Sequence, residues 1–338
     1  MMAINQTPET QNTLEVLEKS VLLQLEISCW TGSKALSPED FESVLGVKID
    51  SEMDEVIKLG NKQLVPRDVI NTFLSIRRRA HERALRIGTR FMGGYFIPLE
   101  DNKKEVEALL KELQEMKKEF QQKLDQFKDS FHQVVDEWLS NEKVKPFAAV
   151  IRKAMPKWEE IESRYDFKIM PITINPIASL EEDLEREVGR LPYQAIKEVS
   201  QYAKAAVKEA DDRWQGLQRE EVYFTQKSVK RIRVMISKLR KLSIMEAGFT
   251  ALCDELESQI PQVNGKLVGQ PAMQLYKLYQ IMSDEKILIG ALKKGVIEEL
   301  TSVNVPVDTT DDDSKDDTES KGDATGTIVT PGVFSLGF

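Results

Sequence analysis

Residues 106–138 read VEALLKELQEMKKEFQQKLDQFKDSFHQVVDEW, and this stretch decides the predicted fold. Its apolar residues recur at intervals of three or four, which places them along one side of an α-helix. They are Val106, Leu109, Leu113, Met116, Phe120, Leu124, Phe127, Phe131, Val134 and Trp138. The spacing predicts one long helix over 101–140 whose apolar seam packs against another helix.

A second apolar seam runs through residues 192–260, and Pro192 is well suited to open its first helix. Most neighbouring members are again three or four residues apart, and the seam continues after Thr225: Ile196, Val199, Ala203, Val207, Ala210, Trp214, Leu217, Val229, Ile232, Ile236, Leu239, Phe249, Leu252 and Leu256. Two long seams in one chain predict an antiparallel coiled-coil arm, with 101–140 packed against part of 192–260. A coil between two copies of the chain shows the same pattern, so a homo-oligomer stays open.

Strand signals are few. Leu23, Leu25, Ile27 and Cys29 alternate with polar residues, which predicts a half-buried strand over 22–29. Residues 165–174, YDFKIMPITI, predict a second strand that pairs with the first, at an edge or a bulge because of its proline. The predicted fold class is therefore mostly α with a small β element, a coiled-coil arm and a disordered acidic C-terminal tail.

The pattern divides the chain into five regions. Residues 1–100 form an N-terminal α+β region, and 101–140 form the coiled-coil helix. Residues 141–178, with four prolines, form a connector that contains a strand. Residues 179–300 are the long-helix region that pairs with the arm, and 301–338 are the tail.

The negative charge is concentrated in the tail. The chain has 338 residues and a formal net charge of -9, and eight acids against two lysines lie between Asp308 and Asp323. This composition predicts disorder over about 304–326. Beyond it lies an apolar tip with Val333, Phe334, Leu336 and Phe338. The tip is interpreted either as a partner-binding peptide or as a strand that packs back on its own body.

Two segments are basic. A stripe on one predicted helix holds Arg79, Arg83, Arg86 and Arg90, and a face of another holds Lys227, Lys230, Arg231, Lys238 and Lys241. Such faces bind phosphates or an acidic partner. The alternative is a solvated face, or an ion-paired seam with an acidic helix of the same chain.

Several functional classes find no support in the sequence. The two cysteines and two histidines cannot build a Cys/His zinc cluster, and the motifs of phosphate loops and nucleophile elbows are absent. The longest apolar runs are too short to span a membrane, and the first residues lack a signal-peptide pattern. We therefore expect a non-enzymatic protein without metal or cofactor, in the cytoplasm.

Residues 88–98 read GTRFMGGYFIP, with WTGSK at 30–34 and LGNK at 59–62 upstream, and Trp138 and YDF at 165–167 downstream. This combination resembles a family of uncharacterised proteins of phages, plasmids and integrative conjugative elements, over about 20–175. The family pattern has Ser where this chain has Asn61. The motif residues are Trp30, Gly32, Lys34, Gly60, Lys62, Gly88, Arg90, Phe91, Gly93, Gly94, Tyr95 and Pro98.

The resemblance implies a mobile-element origin, with the cytoplasm of a bacterium or of a phage-infected host as the location. It also implies genes for a MoxR- or cobalt-chelatase-like AAA+ ATPase and a von Willebrand A-type protein nearby. It suggests one of these as a partner. The residues themselves predict that Gly93-Gly94 form a packing hinge between helix and arm, with a ligand site as the alternative.

Three functional hypotheses follow. The first is an interaction or adaptor protein that partners a AAA+ ATPase through the apolar tip and the arm. The second is a nucleic-acid-associated protein of phage replication or recombination, whose acidic tail competes for its basic faces. The third is a virion or assembly component that oligomerises through its coil.

Overall fold

The computed structural model describes residues 16–46, 60–99, 102–174, 181–294 and 297. In these ranges the strands are β1 (Ser20–Ser28), β2 (Ser33–Ala35), β3 (Asn61–Gln63), β4 (Thr89–Phe91), β5 (Gly94–Pro98), β6 (Asp166–Ile172), β7 (Tyr223–Phe224) and β8 (Leu267–Val268). The α-helices are α1 (Pro38–Leu45), α2 (Arg67–Ile87), α3 (Lys103–Ser140), α4 (Ala148–Ala154), α5 (Trp158–Glu162), α6 (Glu181–Gly189), α7 (Leu191–Trp214), α8 (Gln226–Arg240), α9 (Gly248–Ser258), α10 (Gln270–Ser283) and α11 (Glu285–Lys294).

A four-stranded antiparallel sheet with the order β4-β5-β1-β6 lies at the centre of the protein. The predicted pairing of the two strands is confirmed, because β1 pairs with β6 and Leu23 lies opposite Pro171. Strand β6 lies at the edge of the sheet, where a proline interrupts no ladder on its outer side.

The sheet separates two apolar cores. Leu23 and Ile97 face the core that α2 and α3 cover, whereas Leu22 and Phe96 face the core built by α7 to α11. Neighbouring residues of a strand point to opposite faces, so a sheet covered on both sides is apolar at consecutive positions. This explains why Val21, Leu22 and Leu23 are all buried.

The predicted fold class, mostly α with a small β element, is wrong. The four-stranded sheet is central, and two further two-stranded sheets, β2–β3 and β7–β8, accompany it, so the class is α+β. The prediction missed β4 and β5, because all five residues of β5 are buried and a strand buried on both faces shows no alternation. Residues 88–98 therefore gave the pattern of an apolar connector.

The predicted coiled-coil arm is also wrong. Helix α3 does span Lys103–Ser140, but its apolar side packs against α2 and the sheet rather than against 192–260. Phe73 of α2 lies 5.3 Å from Phe120 and 4.6 Å from Tyr165, measured between ring centroids. Heptad spacing defines an apolar side, but it does not specify whether a helix or a sheet covers that side. Near the end of α3 the buried residues are Val135 and Leu139.

The second predicted seam folds back on itself. Its residues Ile196, Ile232 and Phe249 are fully buried, but they belong to three separate helices, α7, α8 and α9, which pack together. Helices α10 and α11 complete this bundle. Because the seam residues face one another, they leave no long apolar side for α3. Residues 301–338 lie outside the described residues.

Candidate functional site

The glycine-pair motif forms the β4–β5 hairpin and not the expected hinge. Met92 and Gly93 occupy its two-residue turn with φ of 43° and 76°, the left-handed combination that favours glycine or asparagine. Gly94 has a packing role, because a Cβ atom there would lie 2.8 Å from the carbonyl oxygen of Leu23. Gly88 has a similar role, with the carbonyl oxygen of Phe96 at 2.9 Å from such a Cβ. The sheet itself therefore explains these glycines.

The upstream motifs build the β2–β3 sheet beside the N-terminal core. Lys34 lies opposite Lys62 in this sheet, and Lys62 forms an ion pair with Asp40 of α1. Trp30 is buried, and a Cβ atom on Gly32 would lie 2.7 Å from the Ile70 side chain. Among the remaining motif positions, Gly60 has a φ of 85°, Phe91 stacks edge-on against Phe96, and Pro98 lies opposite Ser20. These contacts give the upstream motifs structural roles.

The arginine stripe divides into two halves. Arg79 forms an ion pair with Glu119 of α3 at 2.7 Å, and Arg83 pairs with Glu112 one turn further along. The hydrogen bond from Arg83 lowers the pKa of the Glu112 carboxyl. Arg86 and Arg90 are exposed, and neither has an ion-pair partner among the described residues. The internal seam therefore accounts for the first half of the stripe.

The basic face of α8 divides in the same way. Arg231 pairs with Glu209 of α7 at 2.9 Å, and Lys241 pairs with Glu105. Lys227 and Lys230 are exposed, without an ion-pair partner in the part of the chain that the structure describes. Lys238, expected on the basic face, is instead only 4% exposed.

A buried ion pair joins the two halves of the protein. Glu198 of α7, 3% exposed, accepts hydrogen bonds from the Lys238 ammonium at 2.6 Å, the Gln194 amide at 2.8 Å and the backbone N–H of Arg90 at 3.1 Å. Lys238 also donates to the carbonyl oxygen of Leu85 at 2.7 Å. Burial lowers the pKa of Lys238, while Glu198 opposes this shift. Four elements, α2, β4, α7 and α8, thus meet at one ionic contact.

The sequence contains a signal for this pair. Glu198 follows Ala195 by three positions, and Lys238 follows Met235 by three, so each charge lies beside the apolar side of its helix. A charge at such a position is desolvated unless it finds a partner. Two opposite charges in this setting, on two helices, indicate a buried pair.

Arg86 of the arginine stripe and the two exposed lysines of α8, Lys227 and Lys230, meet at one groove between α2, α7 and α8. This cationic groove has a volume of about 550 Å³. Its exposed charges are Arg86, Lys227, Lys230 and Arg231, against the carboxylates of Glu82 and Glu209. Its apolar wall includes Val199, Ala206, Met235 and Tyr279, and its rim carries Tyr202 and Val234, which are 39% and 43% exposed.

The groove therefore combines positive charge with exposed apolar surface. Exposed cations increase the rate and selectivity of association with an acidic ligand, while buried apolar area supplies most of the affinity. A ligand that fits must be acidic and must also carry apolar side chains.

Two further observations bear on the site. Among the described residues, no group of three or more His, Cys, Asp or Glu side chains is arranged to hold a metal ion. No helix in the described ranges has the length and apolar character that a membrane span requires. The predicted tip residues Val333, Phe334, Leu336 and Phe338 lie outside the described residues.

Comparison with protein families finds one match, to the family described as protein of unknown function (DUF3150), over residues 17–284. This chain belongs to the DUF3150 family. No curated protein and no solved structure matches the chain.

The DUF3150 match extends further than the resemblance over 20–175. It includes α7, α8, α9 and α10 as well as the sheet, so the cationic groove and the buried ion pair lie within the family region. Helices α7 to α10 of the C-terminal bundle are therefore part of the DUF3150 domain, and α11 lies beyond the matched residues.

Proposed function

We propose that this chain is a non-enzymatic interaction protein, an adaptor that holds an acidic segment of a protein partner in the cationic groove. The observation that carries the proposal is the meeting of Arg86, Lys227 and Lys230 beside the exposed side chains of Tyr202 and Val234. An amphipathic helix places its apolar residues in such a groove and its acids against the rim. The groove then supplies both affinity and selectivity.

A protein segment suits this groove better than a nucleic acid. Nucleic-acid interfaces rely on continuous positive surfaces that neutralise several phosphates. Here Glu82 and Glu209 interrupt the positive charge, and Glu209 is held between Arg213 and Arg231. Apolar side chains line the rest of the groove. Phosphate binding by these cations is thus the competing hypothesis, and it has a clear experimental signature.

The first partner to test is a MoxR- or cobalt-chelatase-like AAA+ ATPase, and a von Willebrand A-type protein is the second. This choice rests on the gene neighbourhood that the family resemblance implies, together with a phage or mobile-element origin. In this proposal the acidic segment 308–323 competes with the partner for the groove, and the tip at 333–338 provides a separate contact.

The experiment reverses the free charges of the groove. Replacement of Lys227 and Lys230 by Glu in the full chain is expected to weaken binding to the ATPase about tenfold or more, at about 1 kcal/mol per rim charge. The matched control reverses Lys104 and Lys111, which are exposed on α3 and do not line the groove. Biolayer interferometry at low and physiological salt measures both. Equal affinities for the two double variants would contradict the proposal.

Two further arms separate the alternatives. Binding to duplex DNA and single-stranded RNA is measured over the same salt series, and a steep linear fall of log K with log salt would favour the nucleic-acid function. Light scattering over a concentration series tests assembly. A mass that rises with concentration, together with no binding of the ATPase, would favour the virion or assembly component.

A further inference from the structure

A second cavity, separate from the groove, lies beside the family motif. It opens between the tip of the β4–β5 hairpin, the end of α2 and the beginning of α7, and its volume is about 520 Å³. We call it the hairpin pocket, and the residues that line it include His81, Arg90, Met92, Tyr95, Arg190 and Leu191. Pockets of this size accommodate small molecules.

Two arginines give the hairpin pocket its positive charge. Arg90 is exposed and has no ion-pair partner among the described residues. Arg190 pairs with Glu187 three residues away, with 65% and 49% of the two side chains exposed. An exposed pair of this kind contributes about 0–1 kcal/mol, so an anionic ligand can displace Glu187 at little cost. Two guanidinium groups are therefore accessible to one ligand.

A polar pair lies beside Arg90. The Nδ1 atom of His81 lies 2.8 Å from the Tyr95 hydroxyl. Burial raises the pKa of that hydroxyl, and the positive charge of Arg90 opposes the rise. Burial lowers the pKa of His81, and Arg77 and Arg90 add to this effect. With a neutral imidazole, the hydroxyl donates to Nδ1 and the proton remains on Nε2. The Nε2–H group of His81 is then a neutral hydrogen-bond donor, in addition to the charged donors of Arg90.

Met92 provides the apolar part of the pocket at a cost in backbone strain. Its φ of 43° is unfavourable for a residue other than glycine or asparagine, and its side chain is 57% exposed. Packing therefore does not account for the methionine. Residues that remain strained are concentrated at functional sites. Together with Leu191, the Met92 side chain forms an apolar wall beside the arginines.

From this geometry we infer that the hairpin pocket binds a small molecule with a terminal oxyanion, a phosphate or a carboxylate, and an apolar body. The oxyanion contacts Arg90 and Arg190, which present planar donor groups suited to both kinds of oxyanion. The apolar body lies against Met92 and Leu191. This site is independent of the cationic groove and of the adaptor function.

The chain contains two histidines, His81 and His132, so imidazole signals in NMR spectra of the full chain test the inference with an internal control. His81 lines the pocket, and His132 is exposed on α3. The probes are phenyl phosphate, inorganic phosphate and benzoate, at matched ionic strength. We expect a saturable shift of the His81 signal with phenyl phosphate or benzoate, and no shift of the His132 signal. Whichever of phenyl phosphate and benzoate binds more tightly identifies the preferred oxyanion, phosphate or carboxylate.

Variants assign the contacts. Arg90→Gln is expected to weaken phenyl phosphate binding about tenfold, as for the loss of one charge-assisted hydrogen bond. Arg78→Gln, a change of an exposed arginine outside the pocket, is expected to leave binding unchanged. Met92→Asn is expected to remove the preference for phenyl phosphate over inorganic phosphate. The site is overturned if no probe shifts His81, if both histidine signals move together, or if Arg90→Gln and Arg78→Gln have the same effect.

Discussion

The basic residues of α2 and α8 share a sequence pattern but fall into two regions that differ in what surrounds them. In the seam between α2 and α3, Arg79 and Arg83 face the carboxylates of Glu119 and Glu112. At the cationic groove, one further turn along α2, Arg86 lies with Lys227 and Lys230 and has no such partner among the described residues. The comparison teaches that a basic stripe acquires its role from the opposite element. The same charges stabilise the fold in one place and remain available for binding in the other.

The largest expected effect concerns Lys238, which is buried and belongs neither to the α2–α3 seam nor to the exposed cations of the groove. Lys238→Met leaves Glu198 buried without its ion-pair partner, and such losses cost about 3–5 kcal/mol of the free energy of unfolding. The double variant Glu198→Gln with Lys238→Met removes both charges and is expected to be clearly more stable than Lys238→Met alone. Urea unfolding measures both. Equal stabilities would show that the pair does not act as a unit.

Each of the two cores holds one cysteine. Burial raises the pKa of the Cys253 thiol from 9.0 to about 12 and that of Cys29 to about 11. A raised pKa in the folded state contributes stability that is fully present below pH 9 and is lost as the pH rises towards 11 or 12. The fully buried Cys253 alone therefore accounts for a loss of about 2–3 kcal/mol by pH 11.

Urea unfolding at intervals between pH 7 and pH 11 checks this prediction. The variant Cys253→Ala supplies the control, because its stability is expected to fall less steeply above pH 9 than that of the unchanged chain. Parallel curves for the two proteins would exclude Cys253 as the source of the slope.

A direct test of the comparison removes one charge from each region. Arg83→Gln is expected to lower the free energy of unfolding by about 0.5–1 kcal/mol, as for a partly exposed ion pair with good geometry. Lys230→Gln is expected to change stability by less than about 0.5 kcal/mol and to weaken partner binding instead. Thermal unfolding and the binding assay are run on both variants. If Lys230→Gln destabilises the chain as much as Arg83→Gln, the two regions do not differ.

A small gain in stability, rather than a loss, is expected at the hairpin turn. Met92→Asn replaces a residue strained at positive φ by one that tolerates this conformation, and we expect a gain of about 0.5–1 kcal/mol in stability. Differential scanning calorimetry measures the change. A loss of stability would indicate that the methionine side chain contributes to packing, which would weaken the argument for the hairpin pocket.

Sequence patterns identified some elements and misassigned others for physical reasons. Alternation in β1 was sufficient to predict that strand, because Glu26 and Ser28 are exposed. Its pairing with β6 was predicted from the second strand signal at 165–174. Strand β5 has no polar residue to mark its period. Helix α3 was located correctly, but its partner was not, because an apolar side carries no information about the surface that covers it. The groove could not be predicted either, because it forms only where three helices meet in the folded chain.

The pairing of β1 with β6 also affects synthesis of the chain. These strands are neighbours in the sheet, but their partner residues Ser28 and Asp166 are far apart in sequence. At translation rates of about 5–20 residues per second, roughly ten to thirty seconds pass between the synthesis of the two strands. During that interval one edge of β1 has no native partner on the nascent chain, and an unpaired apolar strand edge is a site of aggregation. Faster translation or a holding chaperone over this interval should therefore increase the soluble yield of the protein.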